Sequence, residues 1–247
     1  MSTLRYVYAV CRPFDAALQC QLTGVAGDPP RLLRHHGLVA VVSHVPKGDF
    51  AEDELRARLE DTGRLEDADW LAGVARLHQG VVDALTTVTT PLPLRPASVF
   101  RDDSAVRLMM EMREDELRRT LDRLEGRVEW GVRVFRDSGA PQEMDPARVS
   151  QEKGMTEAPY ESPAEDFSAR LHTALSGQSD ASHTYPLRNR APDGTGGRNV
   201  LNAAYLVPRA RSEEFVEIVD RVKGTEPGVL VELTGPSAAY SFAADDF

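Results

Sequence analysis

Cysteine is scarce in this sequence: only Cys11 and Cys20 occur among 247 residues. Two cysteines are too few for a disulfide framework or for a cysteine-rich zinc site. Reduced thiols, as in cytosolic proteins, are therefore the expectation. Neither cysteine stands in a sequence context that would lower the pKa of a thiol, so packing is the simpler predicted role for both.

Basic residues are in the minority, and long apolar runs are missing. Lys and Arg number 29 against 39 Asp and Glu, which gives a net charge of −10. This balance argues against a general nucleic-acid binder, because such proteins need a basic surface. The longest apolar runs, such as "LVAVV" at 38–42, fall far below the ~18 residues that span a bilayer. With no secretory cleavage signature, the sequence predicts a cytoplasmic protein with no membrane partner.

Catalytic and metal-binding signatures are also missing. The sequence contains neither His-Glu-x-x-His nor Gly-x-Ser-x-Gly. His35 and His36 fall in a predicted strand, where neighbouring side chains point to opposite faces and would not hold one metal. His78 is predicted to be a boundary or surface histidine and not a ligand. "DGTGGR" at 193–198 precedes a strand, so a hairpin connection is favoured over a phosphate loop. No cofactor, metal or catalytic residue is therefore expected.

What the sequence does contain is clear periodicity, best seen in "VEWGVRVF" at 128–135. Alternating apolar residues predict a strand with one buried face. Gly131 lies in the middle of this strand, where a glycine indicates a closely approaching neighbour. From residue 127 onward the predicted order is β-α-β-β-α-β, which is the ferredoxin-like arrangement.

The first half is predicted to be a less regular α+β domain. "LRYVYAV" at 4–10 alternates as a strand, and 31–45 is a second strand region. Helices are predicted for 49–61, for 66–85 and from Asp102 to Gly126, with an extended proline-containing segment at 89–100 between the last two. The predicted fold class is α+β in two domains, at 1–126 and 127–247, the second a ferredoxin-like βαββαβ sandwich with its tail folding back.

The ordered motifs resemble a known family. "LRYVYAV", "TPLPLRPASVF", "LEGRVEWGVRVF", "NAAYLVP" and "LTGPSAAYSF" occur in the order seen in the GvpF/GvpL family of gas vesicle accessory proteins. The resemblance spans residues 4–242, and its most specific blocks are "VEWGVRV" and "LTGP…YSF". It implies two α+β domains and a non-enzymatic role.

The resemblance also implies partners and a location. Gas vesicles are gas-filled, protein-walled organelles that provide buoyancy. Family members are expected to bind the hydrophobic shell protein of the GvpA type, or other accessory proteins, during vesicle nucleation and growth. A gas-vesicle-associated cytoplasmic protein is the expectation. A soluble acidic partner would cover the apolar face of the shell subunit or pair with its strand edge, and the charge of −10 would keep the complex dispersed.

The sequence departs from the family pattern in two places. Ser237, Ala238 and Ala239 stand where relatives commonly have a Trp-Pro-Pro-like run. Pro159 and Pro163 interrupt a segment that usually continues into a long helix. Contacts made by those elements in relatives are therefore not transferred to this chain.

Five residues are predicted to contribute to a protein-binding surface: Arg95, Trp130, Arg133, Tyr240 and Phe242. Arg95 is the only charged residue between Leu92 and Phe100, and would bind an anion or a partner carboxylate. The alternative is that it pairs with a local acid such as Glu129 or faces water. The other four residues belong to the two most specific blocks, and the segment around Tyr240 and Phe242 is the predicted neighbour of Gly131.

Two other classes of function remain open from sequence. One is an enzyme on paired ferredoxin-like domains, haem-dependent and chlorite dismutase-like, which needs a proximal histidine in a pocket and would show a Soret absorption. The other is a small-molecule sensor with a deep apolar pocket.

Overall fold

The protein contains both helices and sheets and divides into two compact units. The computed structural model describes residues 2–15, 22–60, 65–136, 163–187 and 197–243. The first unit comprises Met1–Arg127 together with Ser237–Phe247, and the second comprises Val128–Pro236. The predicted domains, 1–126 and 127–247, remain a prediction. In the division into compact units, the C-terminal residues from Ser237 group with the first unit.

The first unit is built on a five-stranded sheet. Its strands are β1 (Thr3–Cys11), β2 (Arg31–His35), β3 (Leu38–Pro46), β4 (Leu92–Pro93) and β5 (Val99–Phe100). The order is β2-β3-β1-β4, with β5 also paired to β1. Residues Tyr6 through Cys11 of β1 are all fully buried. Since successive side chains of a strand point to opposite faces, both faces of this sheet are covered.

The predicted strand region at 31–45 is a tight hairpin. His36 (φ 47°) and Gly37 (φ 69°) form its two-residue connection, and His35 pairs with Leu38. Two consecutive positive φ values are the signature of a type I′ turn, whose twist matches that of the flanking strands. His36 therefore lies in the turn and not in a strand.

Five helices pack against this sheet: α1 (Lys47–Phe50), α2 (Glu52–Glu60), α3 (Leu65–Thr86), α4 (Asp103–Met112) and α5 (Glu114–Leu124). The helix predicted at 66–85 is confirmed as α3. Asp102 caps α4, its side chain accepting from the Ala105 amide at 2.9 Å. The single helix predicted from Asp102 to Gly126 is wrong, because the backbone leaves helical geometry at Arg113 (φ −115°, ψ 17°).

The C-terminal segment completes the core of the first unit. Ala238 belongs to the buried cluster formed by β1, β3 and α3, and Tyr240 packs against that cluster. The carbonyl oxygen of Phe242 accepts a hydrogen bond from Nη2 of Arg123 at 2.6 Å. Ala238 and Ala239 are each only 3% exposed.

The second unit has the predicted order of elements: β6 (Arg127–Arg136), α6 (Pro163–Ser176), β7 (Ala181–Thr184), β8 (Arg198–Pro208), α7 (Ser212–Val222) and β9 (Val229–Ser237). The sheet order is β7-β8-β6-β9. Alternate residues of β6, beginning with Val128, join a core that includes Phe167, Leu171 and Phe215 from the two helices. Pro163 begins α6, where its missing N–H costs nothing.

The close neighbour of Gly131 is Thr234 of the adjacent strand β9. A Cβ added at Gly131 would lie 2.5 Å from Oγ1 of Thr234. One residue further along β9, Gly235 (φ 126°) leaves room for the Trp130 ring, which a Cβ would approach at 3.0 Å. The close approach predicted at Gly131 is present. Its predicted partner, the terminal segment, is wrong, because the atoms nearest to the added Cβ all belong to Thr234.

Candidate partner-binding groove

An open groove of about 860 Å³ lies on the first unit. It is formed by the start of β1, by α1 and α2, and by the chain from residue 96 to 101. Most of its lining is apolar: Leu4, Phe50, Ala51, Leu55, Pro96, Ala97, Val99 and Phe100. Charged side chains stand around it: Lys47, Glu52, Asp53, Arg56 and Arg101. An apolar floor with a polar rim is the usual composition of a binding site.

The wall of the groove is a strained turn at residues 95–98. The Ser98 amide donates to the Arg95 carbonyl oxygen at 3.2 Å, and Ala97 has φ 69°. Pro96 followed by a positive φ gives a type II turn, in which glycine is the preferred third residue. Ala97 carries a Cβ there, at a cost of about 1 kcal/mol. Strain of this kind persists only where surrounding structure enforces it.

A buried hydrogen-bonded pair enforces that turn. The Ala97 amide donates to the hydroxyl oxygen of Tyr6 at 3.0 Å, and this hydroxyl lies 2.9 Å from Nδ1 of His78 on α3. His78 is 1% exposed, so the predicted boundary or surface position is wrong. The reason is that His78 faces the sheet, where the Tyr6 hydroxyl satisfies its ring nitrogen.

The pair belongs to an aromatic cluster beneath the groove. The ring centroid of Tyr6 lies 4.9 Å from that of Tyr8 and 5.9 Å from that of Phe50. Phe50 in turn lies 5.1 Å from Trp70, whose ring carries the Arg58 guanidinium at 4.5 Å. Phe50 belongs both to this aromatic cluster and to the lining of the groove. The groove therefore lies directly on the aromatic cluster.

The cluster carries no charge at neutral pH. Burial lowers the pKa of His78 to about 4, with the Leu94 backbone acting in the opposite direction. Burial also raises the pKa of Tyr6. A neutral histidine and a neutral phenol, both enclosed, act as packing and hydrogen-bonding groups. The arrangement supports an apolar binding surface and contains no exposed acid–base pair.

The rim charges are largely paired along the surface. Arg56 donates to Glu52 at 2.8 Å, one helical turn away, and Arg101 to Asp102 at 3.0 Å. Exposed pairs of this type contribute little free energy. The groove therefore offers mainly apolar contact area, surrounded by charges that are in part already paired.

The five predicted binding residues are divided between the two units, three in the first and two in the second. Arg95 is exposed in the turn that forms the groove wall. Trp130 is 8% exposed, stacked on Phe215 at 6.2 Å in the second unit. Arg133, also in the second unit, is half-exposed, with Glu232 at 3.9 Å.

The two terminal aromatics lie in the first unit. Tyr240 is partly buried, 6.2 Å from the ring of His78, and Phe242 is 9% exposed. Sequence reasoning missed Phe50 and the stretch 96–100 as groove residues. The proline spacing around Arg95 pointed to that stretch as an extended segment, but nothing local connected it to α1.

The adjacent histidines His35 and His36 lie side by side at the β2–β3 turn. His35 and His36 stack with ring centroids 4.1 Å apart, so the expectation of opposite faces is wrong, because His36 lies in the turn. Nδ1 of His36 is 3.0 Å from Glu114. Within the described ranges, no three His, Cys, Asp or Glu side chains are arranged to hold a metal. The lining of the groove contains no histidine.

Cys11 is fully buried, and burial raises the pKa of its thiol to about 12, in keeping with packing. Cys20, most of the 193–198 loop and Pro159 lie outside the described residues. None of the helices in the described part of the chain has the length and apolar character to cross a bilayer.

Comparison with known proteins identifies relatives along the whole chain. The family described as "Gas vesicle synthesis protein GvpL/GvpF" matches residues 4–244. Gas vesicle protein L of Streptomyces sp. (strain CB03234) is 50% identical, the alignment covering 98% of this chain and 94% of that protein. Gas vesicle protein F of the same strain is 26% identical, covering 98% and 99%.

Solved structures share the fold. The crystal structure of GvpF from Anabaena sp. PCC7120 superposes with a TM-score of 0.69 at 18% identity, covering 100% of this chain and 98% of that one. GvpF from Microcystis aeruginosa gives a TM-score of 0.63 at 17% identity, covering 98% and 99%. The chain belongs to the GvpL/GvpF family of gas vesicle proteins.

Proposed function

We propose that this protein is an L-type gas vesicle accessory protein that acts by binding and not by catalysis. The observation that carries the proposal is the family match along nearly the entire chain. Identity of 50% to gas vesicle protein L, against 26% to gas vesicle protein F of the same strain, favours the L type. Its partner is the hydrophobic shell protein of the GvpA type or another accessory protein, engaged during vesicle nucleation and growth.

The groove of the first unit is the proposed contact surface. A shell subunit with a large apolar face aggregates unless that face is covered before incorporation. The groove offers an apolar lining that part of an amphipathic segment would contact, which is a common mode of peptide recognition. Arg95 stays in the proposed surface because it adjoins the groove wall. Trp130 and Phe242 are assigned to packing within their own units, since both are buried.

For the second unit we propose a ferredoxin-like fold, and for the chain two structural domains that follow the two units. The β-α-β-β-α-β order and the sheet order β7-β8-β6-β9 support this assignment.

Co-expression of the tagged protein with the shell protein of the same organism tests the function. We expect the shell protein to be recovered in a soluble complex. Phe100→Glu places a charge in the groove and should reduce recovery at least tenfold, because burying an unpaired carboxylate against an apolar surface is costly. Leu230→Glu is the matched control: Leu230 is 46% exposed in the second unit, outside the groove.

Two outcomes would each exclude a part of the proposal. An insoluble, unbound shell protein would exclude the shell protein as the partner and leave another accessory protein in that role. Equal recovery with Phe100→Glu and Leu230→Glu would remove the groove from the binding surface. Phe100→Ser, which deletes the ring without adding charge, serves as the second variant, and thermal melting of each variant verifies folding.

A further inference from the structure

Among the strands of the described residues, β7 is a terminal strand of the second unit's sheet. It pairs antiparallel with β8, from Ala181 opposite Leu206 to Thr184 opposite Ala203, and it ends the sheet order. All four of its residues are exposed. An edge of this kind presents unpaired N–H and C=O groups that are available for pairing with another strand.

The register shows which backbone groups face outward. The Tyr185 amide donates to the Asn202 carbonyl oxygen at 2.8 Å, so Tyr185 forms a hydrogen-bonded pair with β8. In an antiparallel ladder such pairs alternate with non-hydrogen-bonded ones. Ala181 and His183 therefore share the inward orientation of Tyr185. Ser182 and Thr184 direct their N–H and C=O groups away from β8.

The usual protections of an edge strand are missing from Ala181–Thr184. These four residues include no proline, lysine or acidic side chain, the features that normally block edge-to-edge pairing. The preceding acid, Asp180, accepts from Nη2 of Arg211 at 2.8 Å, which holds its carboxylate within the unit. The edge thus carries no lysine, arginine or carboxylate side chain along its length.

We infer that β7 pairs with β7 of a second copy of this chain about a two-fold axis centred on His183. With this centre, Ser182 of each copy stands opposite Thr184 of the other. These are the two residues with outward backbone groups, so two hydrogen-bonded pairs form with four hydrogen bonds. A two-fold interface must be self-complementary, and this register satisfies that requirement.

The side chains also fit this pairing. Tyr185, 39% exposed, stands opposite the small Ala181 of the second copy, so the large ring meets a methyl group. Neither copy carries a lysine, arginine, aspartate or glutamate on β7, so no such side chains repel one another across the seam. The seam is short, so the dimer is a reversible, concentration-dependent one.

Sedimentation equilibrium of the full chain over a concentration series is the first test. We expect the weight-average mass to rise from 27.2 kDa toward twice that value. Thr184→Pro removes one outward N–H at a position that edge strands tolerate, and should weaken dimerisation at least tenfold. Thr184→Val keeps the N–H and the branched shape, and should dimerise like the parent. A parent that stays monomeric at all concentrations, or equal dimerisation of both variants, overturns the inference.

Cysteine cross-linking tests the register and remains informative if Thr184→Pro fails to fold. In a Cys20→Ser background, His183→Cys places two thiols opposite each other across the axis, within reach of a disulfide. Mild oxidation should give a covalent dimer. Ser182→Cys is the control, because its counterpart lies about 7–8 Å away on the diagonal. Equal cross-linking of the two variants, or none with His183→Cys, contradicts the proposed register.

Discussion

At the scale of the residue, His78 shows how one buried polar group connects the sheet to the groove. Its Nδ1 meets the Tyr6 hydroxyl, which in turn receives the Ala97 amide of the groove wall. The sequence places His78 beside Leu77 and Val81 on α3, but helical periodicity alone does not reveal that a tyrosine hydroxyl on β1 meets its Nδ1.

The enclosed His78 predicts an acid-sensitive stability. Its pKa falls from 6.5 to about 4 on folding. The contribution of neutral His78 is therefore fully present above pH 6.5 and is lost as the pH falls toward 4. This displacement corresponds to roughly 3 kcal/mol at most. Urea unfolding at pH 7.5 and at pH 4.5 gives the unfolding free energy that each protein loses on acidification. This loss should be smaller for His78→Gln than for the parent. An equal loss in both proteins would assign the acid sensitivity to other groups.

Gly131 predicts a clash that a second substitution relieves. Gly131→Ala places a methyl group against Oγ1 of Thr234 and should lower the free energy of unfolding by about 1–3 kcal/mol, as overpacking does. Gly131→Val should cost more. In a Thr234→Ala background the same Gly131→Ala change should be nearly neutral, because the oxygen is gone. Denaturant titration of the double-mutant cycle measures this coupling, and strict additivity would argue against the close contact.

At the scale of the element, the turn at residues 95–98 is the distinctive feature. The prolines predicted an extended segment, and the chain does contain only two short strands there, β4 and β5. The left-handed Ala97 between them was not predictable, since alanine has no preference for positive φ. The turn is imposed by Tyr6, which lies ninety-one positions earlier in the chain.

Ala97→Gly should relieve the strain of this turn. Glycine adopts positive φ without a Cβ penalty, so we expect a gain of up to about 1 kcal/mol in the free energy of unfolding. Ala97→Val, with a branched Cβ at the same φ, should lose at least that amount. Thermal melting of the two variants compares them directly. A destabilised Ala97→Gly would indicate that the Cβ packs more favourably than the strain costs.

At the scale of the whole molecule, the chain returns to its first unit at the end. Ala238 and Phe242 are buried, and Tyr240 packs against the cluster around Tyr6. The block "LTGPSAAYSF" is therefore divided between the two units. Thr234 and Gly235 pack against β6 in the second unit, and the residues after Pro236 belong to the first unit.

This division predicts unequal behaviour of fragments. A fragment of residues 1–127 alone should lose about 3 kcal/mol or more of unfolding free energy relative to the same fragment carrying 237–247 on a short Gly-Ser linker. The loss comes from apolar side chains left without their cover. The fragment 128–236, a continuous unit, should fold without the tail. Circular dichroism melts of the three proteins test this, and identical melts with and without the tail would contradict it.

The sequence by itself determined the elements whose cause is local. The alternation of apolar and polar residues predicted β6, and the helical spacing of apolar residues predicted α3. Asp102 marked the start of α4, and the order of the motifs indicated the family. Only the tertiary structure decided the rest. The tail's destination, the partner of Gly131, the burial of His78 and the assembly of the groove each depend on contacts between residues far apart in the chain. Local propensity contains no information about such contacts, because they are chosen by packing of the whole core.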